Sequence, residues 1–379
     1  MKTIDTYFQT NYEASRKVFR DNLETIKKFW PKARLATQKI GNGTDNTIDM
    51  IHAEATESND QVLFFTTGEH GIEGYAGAAV TSLFIEEYAD KLDPKTTGIC
   101  FIHALNPWGM RNFRRVTENN VDLNRNYLVD PSSVPEDINK AYENEEELFL
   151  PAGNIVNLSR ERRKLQAQLV KALAKEGYSG ITAAKGMGQF QFPRGVYYGG
   201  DKEEESAVFL KDVQKKLLSH YNRIIHMDWH TALGPSNEVT MVVSDNDERE
   251  TEQLKEQYNL KNIQKFSPEN VKGDSTSHFH AIKNRDFADK YLFSALFEFG
   301  TFGTDLKASI REFMTIILEN HLYWDGAENE DDMEKILDEF RAMFYPVERN
   351  WRQSVVSEAR LAIEAVLETE NIFKSAVKI

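Results

Sequence analysis

The stretch "TTGEHGIEGYAG", residues 66–77, sets His70 and Glu73 three positions apart among glycines, directly after the apolar run "QVLFF". An imidazole and a carboxylate at i and i+3 can address one metal ion if the chain makes a single turn between them. The glycines at 68, 71 and 74 allow that tight path. Alone, H-x-x-E is a weak signal, because most instances are surface residues. A catalytic zinc takes three protein ligands and keeps an open position, and His₂Glu is one of the observed sets. The third ligand is sought in "IIHMDWHTALG", where strand alternation puts His226, Asp228 and His230 on one face and Ile225, Met227 and Trp229 on the other. His230 falls where that strand would end, and in open α/β sheets ligands gather at the carboxyl ends of strands. His226, about 13 Å upstream at ~3.3 Å per strand residue, reads as a satisfied core histidine. His278 and His280 in "SHFHA" lack an acidic partner in an apolar setting and read as loop.

Two further segments carry polar groups that a structural role does not ask for. "NPWGMRNFRRVTENNVDLNRNY", residues 106–127, follows a predicted strand, and its "DLNRNY" holds the acid, amide and guanidinium groups that a carboxylate-binding pocket uses. Glu298 is the one carboxylate in "YLFSALFEFG". Burying it costs several kcal/mol unless a metal or a donor compensates, and apolar surroundings raise its pKa towards that of a useful general base.

The elements that must hold these groups are legible as patterns. Apolar residues Phe19, Leu23, Ile26 and Phe29 recur at helical spacing, which predicts an amphipathic helix within residues 5–29. "TIDMIHAEA" alternates as a strand, and "QVLFFTT" is a continuous apolar run of the kind covered on both faces. Helix over "YAGAAVTSLFIEEYAD" and strands over "GICFIHALN", "NRIIHMDWHT", "EVTMVVS" and "KYLFSALFEFG" complete an α/β reading: a mixed, mainly parallel sheet with helices on both faces. The expected organisation is one domain over 1–379, with a core of about 36–324. An insertion of about 139–201 lies over one face of the sheet near the cleft, and a helical extension covers about 325–379. The acidic stretch "DGAENEDD" reads as a solvated loop, and the last helices as packing within the chain.

Composition narrows the partners. A net charge of −14, with no basic stripe interleaved with aromatics, argues against nucleic acid. Cys100 is the only cysteine, which excludes an internal disulfide and a thiolate-rich zinc site and fits a reducing compartment. No apolar run approaches ~20 residues and no signal-peptide core opens the chain, so a cytoplasmic protein with no membrane partner is expected.

With these pieces in order, the sequence resembles the zinc metallocarboxypeptidase superfamily. That superfamily has a carboxypeptidase A-like fold and also includes aspartoacylase-type deacylases. The likeness is nearest to a bacterial domain-of-unknown-function branch for which "ENNVDLNRNY", "GQFQFPRGVYYGG", "DWHTALGP" and "FEFGT" are typical, and it spans about residues 61–304. The resemblance implies one Zn²⁺ per chain on His70, Glu73 and His230, with Asp122 as the acceptor that holds His70 in its metal-binding tautomer. It implies Asn124 and Arg125 for the substrate's carboxylate, Arg115 or the adjacent Arg114 for the oxyanion, and Glu298 as the base assisting attack of metal-activated water. A tyrosine cap is implied too, with Tyr197, Tyr198, Tyr258 and Tyr291 as candidates. The interval from Glu73 to His230 is longer than in digestive members, which implies extra structure near the cleft and small substrates.

The leading expectation is therefore a zinc hydrolase cleaving an amide next to a free carboxylate, on a small peptide or an N-acyl amino acid. Aspartoacylase-like deacylation is the alternative reaction. A non-catalytic module recognising carboxylate tails through Asn124 and Arg125 is the alternative from another class. Oligomeric state is left open.

Overall fold

The computed structural model describes residues 4–41, 45–128, 138–247, 249–266 and 273–373. Its strands are β1 (Arg34–Lys39), β2 (Thr47–Ala53), β3 (Gln61–Thr67), β4 (Thr97–His103), β5 (Arg223–Ala232), β6 (Val239–Val243), β7 (Ile263–Lys265) and β8 (Tyr291–Gly300). They form one sheet in the order β1-β2-β4-β3-β5-β8-β6-β7. The four central strands β4, β3, β5 and β8 run parallel, β1, β2 and β6 pair antiparallel to their inner neighbours, and β7 runs parallel to β6. The sheet is thus mixed with a parallel centre, as the sequence pattern implies. β1 and β7 carry no clear alternation of apolar residues and are additions to that reading.

The helices are α1 (Tyr12–Ile26), α2 (Gly74–Glu87), α3 (Pro107–Arg111), α4 (Lys140–Asn144), α5 (Glu146–Phe149), α6 (Leu158–Met187), α7 (Glu205–His220), α8 (Thr251–Tyr258), α9 (Ser275–Asp286), α10 (Leu306–Asp325), α11 (Glu330–Phe344) and α12 (Arg349–Thr369). Successive strand residues point to opposite faces, and two cores follow. Leu63, Phe65, Met227, Trp229 and Phe297 face a core closed by α1, α2 and α12. Val62, Phe64 and Ile224 face a second core closed by α7 and α9. Every residue of β3 is buried, which explains why "QVLFFTT" does not alternate. On α12, Val355, Val356, Ala359, Ile363, Val366 and Leu367 pack into the first core, within the chain as expected.

Two expectations are corrected. "SHFHA" is helix, not loop: Asp274 caps α9 through its side chain, and His278 and His280 are buried on that helix. Half of the acidic stretch is helical as well, because Asn329 caps α11 and Glu330, Asp331 and Asp332 occupy its first turn, where the helix dipole favours negative charge. The insertion differs in placement. Its apolar residues Tyr142, Phe149, Leu165 and Ile181 meet Phe313 and Ile317 of α10 and Ile336 of α11 in a third cluster that holds no strand residue. No helix among the described residues is long and apolar enough to cross a membrane.

The parallel centre creates the place for a site. β3 leads through α2 to β4 on one side, while β5 lies on its other side, so the crevice at the carboxyl ends of β3 and β5 is a topological switch point. The loops there are pinned backbone to backbone. Leu105 N and Asn106 N donate to Thr67 O and Gly68 O at 3.0 and 2.7 Å, and Gly71 N and Ile72 N donate to Arg115 O and Arg114 O at 3.1 and 3.0 Å. Gly71 is required by contact, since a Cβ there would sit 2.2 Å from the Gly109 carbonyl carbon and from Met110 N. Gly71→Ala should lower stability in urea by about 1–3 kcal/mol or more through overpacking against rigid backbone. Gly180→Ala, on the insertion helix, meets only the Glu176 Cβ, at 3.1 Å, and should cost much less than Gly71→Ala. Equal stabilities for the two variants would remove this account of the loop.

Candidate metal centre

His70 and Glu73 sit in the turn after β3, and His230 near the end of β5. The three are buried, and their ligating atoms lie within 4.8 Å of one another. The imidazoles stand 5.1 Å apart, ring centre to centre, at 76°. His70 Nδ1 is 2.8 Å from Glu73 Oε1, and His230 Nδ1 is 3.2 Å from Glu73 Oε2. The Thr231 amide donates to that same Oε2 at 2.7 Å and fixes the carboxylate.

The outer nitrogens face acids. His70 Nε2 is 3.1 Å from Asp122 Oδ1, and His230 Nε2 is 3.1 Å from Asp228 Oδ2. An ionised carboxylate only accepts, so each Nε2 donates its proton outwards, and each Nδ1, which faces Glu73, offers a lone pair inwards once an ion takes the place of its proton. Two lone pairs and a carboxylate converging on one point repel each other unless a cation lies between them, and the set is the nitrogen and oxygen donors that suit Zn²⁺. Residue for residue, the cluster fits the ion. Burial and Arg115 push His70 down, yet Glu73 and Asp122 outweigh them and its pKa is raised. His230 is likewise raised despite burial, by Asp228, Glu69 and Glu73. The cluster draws positive charge.

Arg115 completes the near wall. Its Nε and Nη2 donate to Asp122 Oδ2 at 3.2 and 2.9 Å, and its Nη1 stands 3.2 Å from His70 Nδ1 and 3.7 Å from Glu73 Oε1. Arg114 points away and is spent on Glu319, to which its Nε and Nη2 donate at 2.7 and 3.2 Å. Glu298 is the cross-strand neighbour of His230 on the adjoining strand β8. Its only hydrogen bond among the described residues is a long one, 3.4 Å from Leu233 N. Burial, with Glu73 adding repulsion, pushes its pKa up to about 8.

Asn124 and Arg125 lie one step further out. The Asn124 side-chain oxygen accepts from Ser275 N at 3.3 Å, at the start of α9. Arg125 is buried with one bond, Nη1 to Asn124 O at 2.7 Å; its Nε has no partner, and no carboxylate among the described residues lies within ion-pairing distance. Such a guanidinium is costly to leave alone and fits an anion brought from outside. The insertion closes over it: a Cβ on Gly188 would lie 2.7 Å from Arg125 Cδ, and the Tyr198 carbonyl accepts from Asp122 N at 2.8 Å. Of the tyrosine candidates, Tyr258 and Tyr291 both bond Glu370, at 2.5 and 3.0 Å, and belong elsewhere. Tyr197 is buried at a φ of +59°, its hydroxyl has no partner, and Arg115, Asp122 and Arg125 act on it electrostatically.

Two acids of the site escaped attention as functional residues. Asp228 was visible on the face of His230 by alternation. Glu69, adjacent to His70, gave no signal; it is buried with neither oxygen hydrogen-bonded, 3.5 Å from His230 Nε2. His226 is the satisfied core histidine expected, 2.8 Å from both Thr66 Oγ1 and Ser294 Oγ and stacked on Phe64.

The parallel centre and the crevice at its carboxyl ends are those of the metallocarboxypeptidase fold. Carboxypeptidase A from Helicoverpa armigera superposes with a TM-score of 0.51 at 10% identity, covering 95% of this chain and 73% of that one. Bovine thrombin-activatable fibrinolysis inhibitor gives 0.45 at 12% identity over 95% and 98% of the two chains. The succinylglutamate desuccinylase from Chromobacterium violaceum gives 0.36 at 15% identity over 80% and 72%. No curated protein matches by sequence. The chain belongs to the family described as "Protein of unknown function (DUF2817)", whose model matches residues 8–358.

The Glu298 shift has a signed consequence. Between its ordinary 4.5 and about 8, folded metal-free protein holds a proton that the unfolded chain releases, so this residue makes stability fall as pH rises across that window. Glu298→Gln removes the effect. Urea unfolding of chelator-treated protein should show the variant gaining on wild type steadily from about pH 5 to pH 8; parallel curves would mean that Glu298 is ionised throughout.

Proposed function

We propose that this chain is a zinc-dependent hydrolase that cleaves an amide bond next to a free carboxylate. The observation that carries the reading is the convergence of His70 Nδ1, His230 Nδ1 and Glu73 on one point, with Arg115 and Glu298 at its sides. Those three residues would hold the ion. Bound there, Zn²⁺ supplies Lewis acidity: it lowers the pKa of water to about 7 and polarises a carbonyl.

The remaining work falls to the chain. Glu298 accepts the proton of the attacking water at a carboxylate oxygen and returns it to the nitrogen of the leaving amine. A divalent charge beside it favours its ionised form and offsets the burial that otherwise keeps it protonated. The Arg115 Nη1 donor is free of Asp122 and faces the oxygen that gains charge in the tetrahedral state; being already fixed, it costs little reorganisation. Arg125, which has no described carboxylate within ion-pairing distance, takes the substrate's own carboxylate and sets the distance from that anchor to the scissile bond. Asp122 holds His70 and Arg115 together, so ligand and oxyanion donor move as one unit.

The contact of the insertion with Arg125 and Asp122 favours a second reading of the same chemistry, hydrolysis of short N-acyl amino acids, with the insertion as a wall beside the anchor. Dipeptides, longer peptides and N-acyl amino acids assayed side by side separate the two. Purified protein should carry about one zinc per chain, and Glu298→Gln should keep the metal while kcat falls by about 10³-fold or more. His70→Ala should release the metal. A metal-free wild type, or a Glu298→Gln enzyme of unchanged kcat, would defeat the proposal.

A further inference from the structure

A hydrogen-bonded chain runs inwards from His230 beneath the sheet's edge. His230 Nε2 lies 3.1 Å from Asp228 Oδ2. Thr66 Oγ1 donates to Asp228 Oδ1 at 2.6 Å and is itself 2.8 Å from His226 Nε2. His226 Nδ1 is 2.8 Å from Ser294 Oγ, and Ser275 Oγ adds a long contact of 3.5 Å to Asp228 Oδ2. All of these side chains are buried.

Proton counting fixes the directions from Asp228 inwards. Thr66 has one hydroxyl proton and gives it to Asp228, which can only accept. Its oxygen must then receive the proton on His226 Nε2, which leaves His226 Nδ1 to accept from Ser294. The remaining oxygen of Asp228 faces His230 Nε2, and that nitrogen carries the ring proton. With the Nε2 proton committed to Asp228, His230 Nδ1, 3.2 Å from Glu73 Oε2, is the nitrogen left to meet an ion.

We infer that Asp228, pinned by Thr66, is a positioning residue for the metal centre: it holds His230 in the Nε2–H tautomer and aims Nδ1 at the ion site. The inference rests on the reading of His70, Glu73 and His230 as metal ligands. Asp228 does for His230 what Asp122 does for His70, but it comes from β5 itself rather than from a loop, so ligand and acceptor share one rigid strand. A structural role alone is a poor reason for this acid. Burying a carboxylate in a central strand costs several kcal/mol unless donors match it, and the donors here are Thr66, Ser275 and the ligand itself. Glu69 lies on the same side of the ring, 3.5 Å from that Nε2.

Zinc-loaded wild type, Asp228→Asn and Thr66→Val are titrated with a competing chelator, and the cobalt-substituted forms are compared by visible absorption. Asp228→Asn should raise the metal dissociation constant about 10–100-fold and shift the cobalt bands. Thr66→Val leaves the acid but unpins it, and should give a smaller, severalfold rise. Cooperative urea unfolding of the metal-free proteins reports folding; if Asp228→Asn does not fold, the Thr66→Val titration decides. Metal held as tightly as in wild type by folded variants with unaltered cobalt spectra would overturn the inference while leaving the metal centre intact. A wild type that binds no metal would instead overturn the reading on which it rests. Two metals per chain, one lost in Glu69→Gln, would also overturn it, because the acid pair would then be an ion site of its own.

Discussion

An excess of buried acceptors governs this molecule. Glu69, Glu73, Asp122, Asp228 and Glu298 are each no more than 9% exposed, and they surround two imidazoles at the end of the parallel sheet. Arg115 is the one guanidinium in ion-pair contact with any of them among the described residues. A dry pocket with that balance is expensive unless positive charge enters it. The raised pKa values of His70 and His230 express the same demand, met by protons where no ion is present. The pocket is best understood as a place that the fold keeps short of cations.

Keeping such a pocket assembled needs backbone rather than side-chain support, because the side chains repel one another. The sheet supplies it. His230 and Glu298 are held in register by the β5–β8 ladder, and the turn bearing His70 and Glu73 is tied through amides to the loop after β4, the loop that also brings Asp122 and Arg115. The Gly71–Gly109 contact is the closest point of that docking. The backbones that carry His70, Glu73 and His230 are therefore placed by hydrogen bonds that do not involve the charges, and Thr231, Asp122 and Asp228 then orient the side chains.

What the sequence disclosed follows the same division. Continuous apolar runs and periodic ones are both legible, so the central strands and α2 could be read from the first kind and the C-terminal helices from the second, and the face that His230 shares with Asp228 came from alternation. Short edge strands such as β7 bury too little to leave a pattern. "SHFHA" was misread because its histidines look polar in sequence. In the fold they are buried, and His278 Nδ1 lies 2.8 Å from Gln214 Oε1 of α7, a tertiary contact with no local signature. Glu69 shows the same limit: nothing in a neighbour of His70 says whether it faces solvent or the inner side of a partner's imidazole. Arg114 and Arg115 could not be told apart in sequence for the same reason: Glu319, 205 positions from Arg114, engages that residue and leaves Arg115 on the side of the pocket.

That pair of arginines also shows how adjacent identical residues come to differ. Arg114 neutralises Glu319 on α10 with a two-pronged contact and stacks over Tyr323 at 3.6 Å, tying the loop to the helix that also seats the insertion. Arg115, turned the other way by the next peptide unit, has one edge on Asp122 and the other open to the pocket. A loop anchored on only one side would let Arg115 swing into the acid cluster and neutralise it, since a mobile guanidinium could supply the missing charge itself. By fixing the backbone at Arg114, the fold holds Arg115 against Asp122, His70 and one edge of Glu73, and leaves the point between His70 Nδ1, His230 Nδ1 and Glu73 in want of a smaller and more highly charged cation.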